Sequence, residues 1–408
     1  MNRFIHTTAG VRDVFGDEYE RKKILIDRIS CLFGEYGYHN IQTPSIEFYP
    51  VFDKDKGTIH SSQLYKMIDR EGHTLVLRPD FTPSIARAVS MYFAEEALPL
   101  RLCYRGNVFL NNTNYRGRLN ESTEMGVELI NHDAVEADAE LIALSVEIMK
   151  ASGLRDFQIS IGNVGIFNAI AAEAGIDDEN TEELRHLLSI RNQFGAAELT
   201  DTLDIDDRFK KALGKLTGLF GDVSVLDEAE KLTDNEEALK AIERLKNVYK
   251  LLEEYGCSRY ISFDLGMLSG FTYYTGIIFQ AVAYGSGDAV IKGGRYNRFI
   301  EKFGKKAAAI GFTTLVDSLL SALQRQELLP DVPCDGTLLV YDPAYVNEAI
   351  KISVDRRKSG NNVTCMPYGD GVSNDEYIDF AKRNNCSTII YIKSNGQQEN
   401  FEISEAAK

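Results

Sequence analysis

Two strand-like runs joined by a polar loop constrain this chain more than any other feature. Residues 101–109 and 121–131 have the composition and patterning of β-strands, so the sequence predicts a strand, a loop and a second strand. Because successive side chains of a strand point to opposite faces, Glu124 and Glu128 share one face, with Gly126 between them. Any fold for this chain must accommodate two acids on one face of a strand.

These two acids have two interpretations. A glycine between them leaves room for a ligand, and two acids on one β face are an odd choice unless they are solvated. The alternative is a solvated outer strand. By itself, the segment supports both interpretations about equally.

Helical and strand-like patterns surround this pair. Apolar residues at helical spacing predict a helix over 17–36, and the segment 38–44 after it predicts an extended strand closed by proline. Further strands are predicted at 74–78, 156–161, 260–265, 272–284, 288–292 and 308–313, and further helices at 82–95, 134–152 and 314–325. Charged helices dominate about 164–256, which indicates a helical insertion.

The C-terminal part has a different pattern. A linker with two prolines is predicted over 326–336, and strands and helices then alternate as β-α-β-α-β. This order predicts a small α/β domain over 331–408 with a mostly parallel sheet. No Gly-rich phosphate loop accompanies it.

Composition excludes several classes of protein. A length of 408 residues suggests two or three domains, and no stretch approaches the roughly 20 apolar residues of a membrane span. The N-terminus has no apolar signal region, and the six cysteines are scattered, so we expect a cytoplasmic protein with reduced thiols. A formal net charge of −16 argues against nucleic-acid binding.

Three further segments carry polar side chains that could bind a ligand. Asp80 and Thr82 follow an apolar strand and could hold an ammonium group, although a helix N-cap is the simpler interpretation. The adjacent Tyr273 and Tyr274 predict one ring in the core and one hydroxyl in a pocket. The run from Gly293 to Tyr296 is predicted to follow a strand and open a helix, where Arg295 could bind a carboxylate or pair with a nearby acid.

In order and spacing, these segments resemble the class II aminoacyl-tRNA synthetases of the histidyl type. The similarity covers about residues 8–325 and is carried by Tyr38–Glu47 (motif 1), Tyr104–Glu128 (motif 2), 308–318 (motif 3), and the histidyl-specific segments Arg78–Thr82 and Ser269–Thr275. The resemblance implies an α+β fold, with an antiparallel sheet flanked by helices over 1–325 and the small α/β domain over 331–408.

The resemblance also implies a histidine-binding site. The residues that it assigns to the site are Asp80, Thr82, Glu124, Glu128, Tyr273 and Tyr274. Asp80, Thr82 and Glu124 would surround the α-ammonium group, and Glu128 and Tyr274 would address the imidazole. The synthetases usually carry glutamate at position 80 and glutamine at position 124.

The arginines that would stabilise adenylate formation are missing. Class II synthetases use one in motif 2 and one in motif 3, and the histidyl enzymes add a third, but here Leu110, Ser318 and Ser269 stand at these positions. Losing one such donor costs on the order of 10²–10³ in rate. The remaining possible anion contacts are Arg105, Arg116, Arg118 and Arg295. We expect no catalytic residue, no metal and no cofactor.

A synthetase fold without these arginines resembles the family of regulatory subunits of short-form ATP phosphoribosyltransferase. That resemblance implies a non-catalytic protein of histidine biosynthesis. It would assemble with a short catalytic subunit, be needed for its activity, confer feedback by histidine, and form a dimer through the motif 1 region. The alternative is an active histidyl-tRNA synthetase, which would form histidyl adenylate from ATP and charge tRNA.

Overall fold

Two compact units make up the chain in the computed structural model, which describes residues 6–53, 59–112, 119–268, 273–369 and 371–403. The first unit comprises residues up to 13 together with 24–329, and the second comprises 14–23 together with residues from 330 onwards. Arg116, Arg118 and Ser269 lie outside the described residues. None of the helices in the described ranges is long and apolar enough to cross a membrane.

The first unit is built on a large sheet and a small one. Its strands are β1 (His39–Asn40), β2 (Ile46–Phe48), β3 (Lys66–Ile68), β4 (Thr74–Leu77), β5 (Leu100–Phe109), β6 (Glu121–Ile130), β7 (Phe157–Asn163), β8 (Phe220–Gly221), β9 (Ile261–Asp264), β10 (Ile277–Ala283), β11 (Ile291–Arg295) and β12 (Ala309–Leu315). The large sheet has nine strands in the order β1-β5-β6-β12-β11-β10-β7-β9-β8, and the small sheet has the order β2-β4-β3.

Helices cover the large sheet and fill the predicted insertion. They are α1 (Gly16–Glu35), α2 (Thr82–Tyr92), α3 (Val135–Ala151), α4 (Val164–Glu173), α5 (Asp178–Ser189), α6 (Gln193–Thr202), α7 (Asp207–Leu216), α8 (Val225–Glu230), α9 (Glu236–Glu254) and α10 (Val316–Arg325). In α1, Leu25, Ile29 and Phe33 recur at every fourth position and are buried against the sheet core, as the apolar pattern of this helix requires.

The centre of the large sheet is antiparallel and positions the two acids. β5 and β6 pair over ten residues, and β12 pairs with the other edge of β6. Glu128 is opposite Leu102 on one side and Gly311 on the other. A strand paired on both sides has little freedom to shift its register, so the acids of β6 are held in fixed positions within the sheet.

The second unit is a small α/β sheet. Its elements are β13 (Gly336–Tyr341), α11 (Val346–Lys358), β14 (Val363–Pro367), α12 (Asn374–Arg383), β15 (Cys386–Ile392) and β16 (Gln398–Glu402). β13 is parallel to both β14 and β15, and β16 adds an antiparallel edge. The helices pack on opposite faces, since α11 covers Leu339 and Ile390 while α12 covers Leu338 and Ile389.

The predicted fold class is confirmed, with four local errors. The segment 38–44 forms only the two-residue strand β1, and neither the small sheet nor β16 was predicted. The prediction that the run from Gly293 opens a helix was also wrong. Gly293, Gly294 and Arg295 lie within β11, where β10 and β12 pair with both edges and hold these residues in the sheet.

Candidate functional site

Four segments meet beside β6. They are the start of α2 with Asp80 and Thr82, the face of β6 with its two acids, the turn before β10 with the two tyrosines, and the residue after β11, Tyr296. The six residues that the sequence assigned to a histidine site all belong to this cluster, because each is linked to another by a hydrogen bond, a ring contact or an electrostatic interaction.

Glu128 is the most buried acid of the cluster, with 1% of its surface exposed. The Thr82 hydroxyl donates to Oε1 at 2.8 Å, and the Tyr296 hydroxyl donates to Oε2. The carboxylate lies directly over Gly311, where an added Cβ would come within 1.6 Å of Oε2. Glycine at position 311 is therefore required for this placement, and two donors fix the orientation of the carboxylate.

Glu124 is also buried, with 8% of its surface exposed. The Thr313 hydroxyl donates to its Oε2 at 3.2 Å, whereas Oε1 receives no hydrogen bond from the described residues. The burial of both acids excludes the alternative of a solvated outer strand.

Asp80 supports the start of a helix and also lies close to the two acids of β6. Its Oδ1 accepts the backbone N–H of Thr82 at 3.1 Å, so it supports the first turn of α2, although the formal N-cap is Phe81. At the same time its charge acts on both Glu124 and Glu128. The start of α2 therefore also belongs to the pocket.

Sequence reasoning missed Tyr104 and misread Gly126. Tyr104 is opposite Gly126 in the β5–β6 ladder, and a Cβ on Gly126 would lie 2.3 Å from the Tyr104 hydroxyl oxygen. The space between the acids therefore holds the Tyr104 ring, and the prediction that it is left for a ligand was wrong. The signal for Tyr104 is the strand register, which becomes known only after the two strands have been paired.

The paired tyrosines also differ from the prediction that they face opposite ways. Their ring centroids are 4.7 Å apart, and the two hydroxyls are hydrogen-bonded to each other. Both residues precede β10, so strand alternation does not apply to them. Burial raises the pKa of both hydroxyls, which keeps them protonated and able to donate.

Three carboxyl groups share this poorly solvated site, and their electrostatics are unfavourable. Burial raises the pKa of Asp80 to about 6 and that of Glu128 to about 8. Burial, with a smaller contribution from the charge of Asp80, raises the pKa of Glu124 to about 8. A ligand with a positive charge would relieve this repulsion and favour the ionised acids.

The two cations within electrostatic reach of Glu124 are occupied elsewhere. Arg78 donates from Nε to the Asn107 carbonyl at 2.9 Å and from Nη1 to the Thr43 carbonyl at 2.9 Å. Lys292 pairs with Asp288 at 3.1 Å. Within the described residues, neither cation forms an ion pair with an acid of the pocket.

Of the four arginines suggested as anion contacts, two are described, and they lie in different environments. Arg295 is buried and pairs with Asp138, with an Nε to Oδ1 distance of 2.8 Å, so the structure supports the second of its two interpretations, pairing with an acid. Arg105 is exposed, and strand alternation places it on the face of β5 opposite Tyr104. Arg116 and Arg118 lie outside the described residues.

Two of the three positions that lack the synthetase arginine are described. Leu110 follows β5, is partly buried, and donates its backbone N–H to the Asn120 carbonyl at 2.8 Å. Ser318 lies in the first turn of α10 and is also partly buried. Neither side chain can supply a positive charge to a phosphate.

One group of side chains could hold a metal ion among the residues the structure covers. Asp69, Glu71 and His73 have ligand atoms within 4.8 Å of one another on the exposed turn between β3 and β4. Asp69 already accepts the backbone N–H groups of Glu71 and His73, so this arrangement is explained by the turn itself.

The fold and the site together define a protein of the histidyl-tRNA synthetase class. The family model described as histidyl-tRNA synthetase matches residues 10–319. A solved structure from Bacillus halodurans C, titled ATP phosphoribosyltransferase regulatory subunit/histidyl-tRNA synthetase, is 31% identical, with a TM-score of 0.84 over 96% of this chain and 99% of that chain.

Curated relatives narrow this class. The ATP phosphoribosyltransferase regulatory subunit of Acetivibrio thermocellus is 39% identical over 87% of this chain and 85% of its own length. The protein of the same name from Bacillus subtilis is 34% identical over 96% of this chain and 98% of its own length. The chain therefore belongs to the family of ATP phosphoribosyltransferase regulatory subunits.

Proposed function

We propose that this chain is a non-catalytic regulatory subunit of ATP phosphoribosyltransferase, the enzyme that opens histidine biosynthesis. It would assemble with a short catalytic subunit, be required for its activity, and confer inhibition by histidine. The names of the relatives support the assembly. The observation that carries the sensing role is the pocket in which the buried acids Glu124 and Glu128 cluster with the partly buried Asp80. The chain also has Leu110 and Ser318 where the synthetases have arginine.

In this proposal, histidine binds with its ammonium group near Asp80 and Glu124 and its imidazole near Glu128 and Tyr274. An ammonium group offers three donors and a full charge, which suit a pair of neighbouring carboxyl groups. Thr82 and Tyr296 orient Glu128 toward the ring. Feedback follows if one conformation of the complex binds histidine better than the other.

We also propose that two copies of the chain associate through the motif 1 region. A surface groove of about 690 Å³ lies beside β1 and α2 and is lined by His39, Arg87 and Tyr92. Exposed apolar side chains continue from it, among them Met91 and Leu98. A Tyr92→Asp variant should shift the chain toward the monomer in light scattering, and an unchanged dimer would contradict this interface.

The experiment for the main proposal mixes this chain with a short ATP phosphoribosyltransferase catalytic subunit. We expect phosphoribosyl transfer to appear on mixing and to fall as histidine is added. A mixture without activity, or with activity that histidine leaves unchanged, would refute the proposal. The rival activity of a histidyl-tRNA synthetase is tested in parallel by histidine-dependent pyrophosphate exchange with ATP, which we expect to remain at background.

A further inference from the structure

The helical insertion has a groove of its own, the insertion groove, with a volume of about 540 Å³. It lies between the end of α7, the turn after that helix and the region of α8, and Lys215, Thr217, Leu219, Glu228 and Lys231 are among the residues that line it. None of the residues that line it belongs to the candidate pocket. The groove is therefore a separate feature of the molecule.

Positive charge gathers at this groove although the chain as a whole is acidic. Residues 208–221 contain four cations and no acid, whereas the formal net charge of the chain is −16. The four cations are Arg208, Lys210, Lys211 and Lys215. In the lining, Lys215 and Lys231 are exposed and form no ion pair with any residue that the structure describes, and Glu228 is the one acid. Two unpaired ammonium groups at one groove attract an acidic partner.

Exposed aromatic side chains adjoin the groove. Phe194 follows the lining residue Gln193 and exposes 80% of its surface, and Phe220 follows Leu219 and exposes 57%. Phe220 lies on β8, the last strand of the large sheet. Aromatic side chains are enriched where proteins bind one another. The surface around the groove thus offers apolar contacts as well as charge.

The groove touches the segment that leads to the candidate pocket. Leu265 donates its backbone N–H to the Leu219 carbonyl at 3.0 Å, and a Cβ on Gly266 would lie 2.8 Å from the Cα atom of Thr217. The chain then continues from Gly266 to Tyr273 and Tyr274. A partner in the groove would therefore press on residues that directly precede the pocket tyrosines.

Asp264 links the insertion to the sheet beside the groove. Its side chain is 2% exposed, and its Oδ2 accepts a hydrogen bond from the exposed Arg191, two residues before Gln193. Its buried Oδ1 has no hydrogen-bond partner among the described residues. A buried carboxylate oxygen without a partner costs free energy, so this link is incomplete in the chain alone.

We propose that the insertion groove is the docking site for an acidic segment of the short catalytic subunit, which packs an apolar side chain against Phe194 and Phe220. The inference rests on the proposed function and names the surface for its partner. Contact with residues 264–266 gives docking and ligand binding a shared segment, as the coupling of two sites requires. The proposed dimer groove beside β1 and α2 has no lining residue in common with this one, so association of two copies leaves it open.

The test measures binding of the full chain to a short catalytic subunit by calorimetry. In the double variant Lys215→Glu and Lys231→Glu, we expect the Kd to rise about tenfold or more. The matched control carries the same change at Lys250 and Lys306, exposed lysines outside the lining, and should shift the Kd by less than about twofold. Raising the salt from about 50 to about 300 mM should weaken binding of wild type more than that of the double variant. Phe194→Ser should weaken binding about threefold at both salt concentrations.

Four results would overturn the inference. A folded double variant that binds as tightly as wild type would exclude the groove, while activation by the wild-type chain would still uphold the proposed function. Loss of self-association in the double variant alone, measured by sedimentation, would assign the groove to a second copy. Binding of tRNA that the double variant loses would assign it to nucleic acid. No complex with the wild-type chain would refute the proposed function and the inference together. Thermal unfolding checks that each variant is folded.

Discussion

Two buried acidic sites in the same unit differ in how their charges are balanced. Asp138 on α3 is fully buried and pairs with Arg295 at 2.8 Å and with Arg244 at 2.6 Å. In the candidate pocket, Glu124 and Glu128 receive only hydroxyl donors from the described residues. The charge of Asp138 is balanced within the chain, whereas the described residues form no ion pair with Glu124 or Glu128; in the proposed function, a ligand would supply that counter-charge.

The two sites meet in the run from Gly293 to Tyr296, where neighbouring residues contact different acids. Arg295 and Tyr296 are neighbours, yet the arginine completes the structural site and the tyrosine donates to Glu128. Arg295 is the last residue of β11, and Tyr296 follows it and donates its backbone N–H to the Ala309 carbonyl at 2.8 Å. Two adjacent residues of one short motif thus contact two different buried acids.

The largest effect should come from breaking the complete site. Arg295→Met leaves Asp138 with one cation instead of two in a buried position, so we expect a loss of about 3–5 kcal/mol in the free energy of unfolding. Denaturant unfolding followed by circular dichroism measures it. The control is Arg298→Met, an exposed neighbour that should change stability by less than about 0.5 kcal/mol. Equal effects would contradict the structural role.

In the pocket, removal of a charge should raise the free energy of unfolding, and the size of this gain should depend on pH. Because the pKa of Glu124 is raised to about 8 in the folded chain, its ionisation costs stability as the pH rises from about 4.5 through 8. Glu124→Gln should therefore be more stable than wild type by about 2–4 kcal/mol at pH 9 and similar to it at pH 5.

Thermal unfolding at both pH values checks this prediction, with Glu136→Gln as the matched control. The control should show no pH-dependent gain, because that side chain is exposed. A Glu124→Gln variant that is less stable than wild type at pH 9 would mean that the carboxylate has a partner in the folded chain, and the contrast between the two sites would fail.

A smaller difference in the free energy of unfolding should distinguish two buried tyrosine hydroxyls. One donates a hydrogen bond, and the other has no hydrogen-bond partner among the described residues. Tyr296→Phe removes a donor from Glu128 and should cost about 1–3 kcal/mol. Tyr391→Phe in the second unit removes a buried hydroxyl that has no partner among the described residues, so its cost should stay below about 0.5 kcal/mol. Denaturant unfolding of both variants gives the comparison, and a larger cost at Tyr391 would contradict it.

The sequence was sufficient for much of the fold and for predicting that several candidate site residues lie together. Asp80, Thr82 and Glu128 were predicted as one cluster because their segments resemble a known pocket, and the structure places them together. The helical and strand periodicities recovered the main elements to within a few residues. The edge strand β16 was missed because all five of its residues are exposed and show no alternation.

What could not be predicted depends on pairing between distant strands. Tyr104 fills the space over Gly126, and Thr313 holds Glu124, because β5 and β12 flank β6 in a particular register. Local patterns contain no information on that register. The pairing of Arg295 with Asp138, which are 157 residues apart, depends on tertiary structure in the same way.

Proton release on ligand binding tests the central claim most directly. Calorimetry with L-histidine at pH 7, in buffers of different ionisation enthalpy, counts the protons exchanged. Because the pKa values of Glu124 and Glu128 both lie at about 8 and a bound cationic ligand would lower them, we expect release of about one to two protons, and about one fewer in Glu124→Gln. Binding without proton release, or equal release in both proteins, would contradict the claim that these buried acids await a cationic ligand.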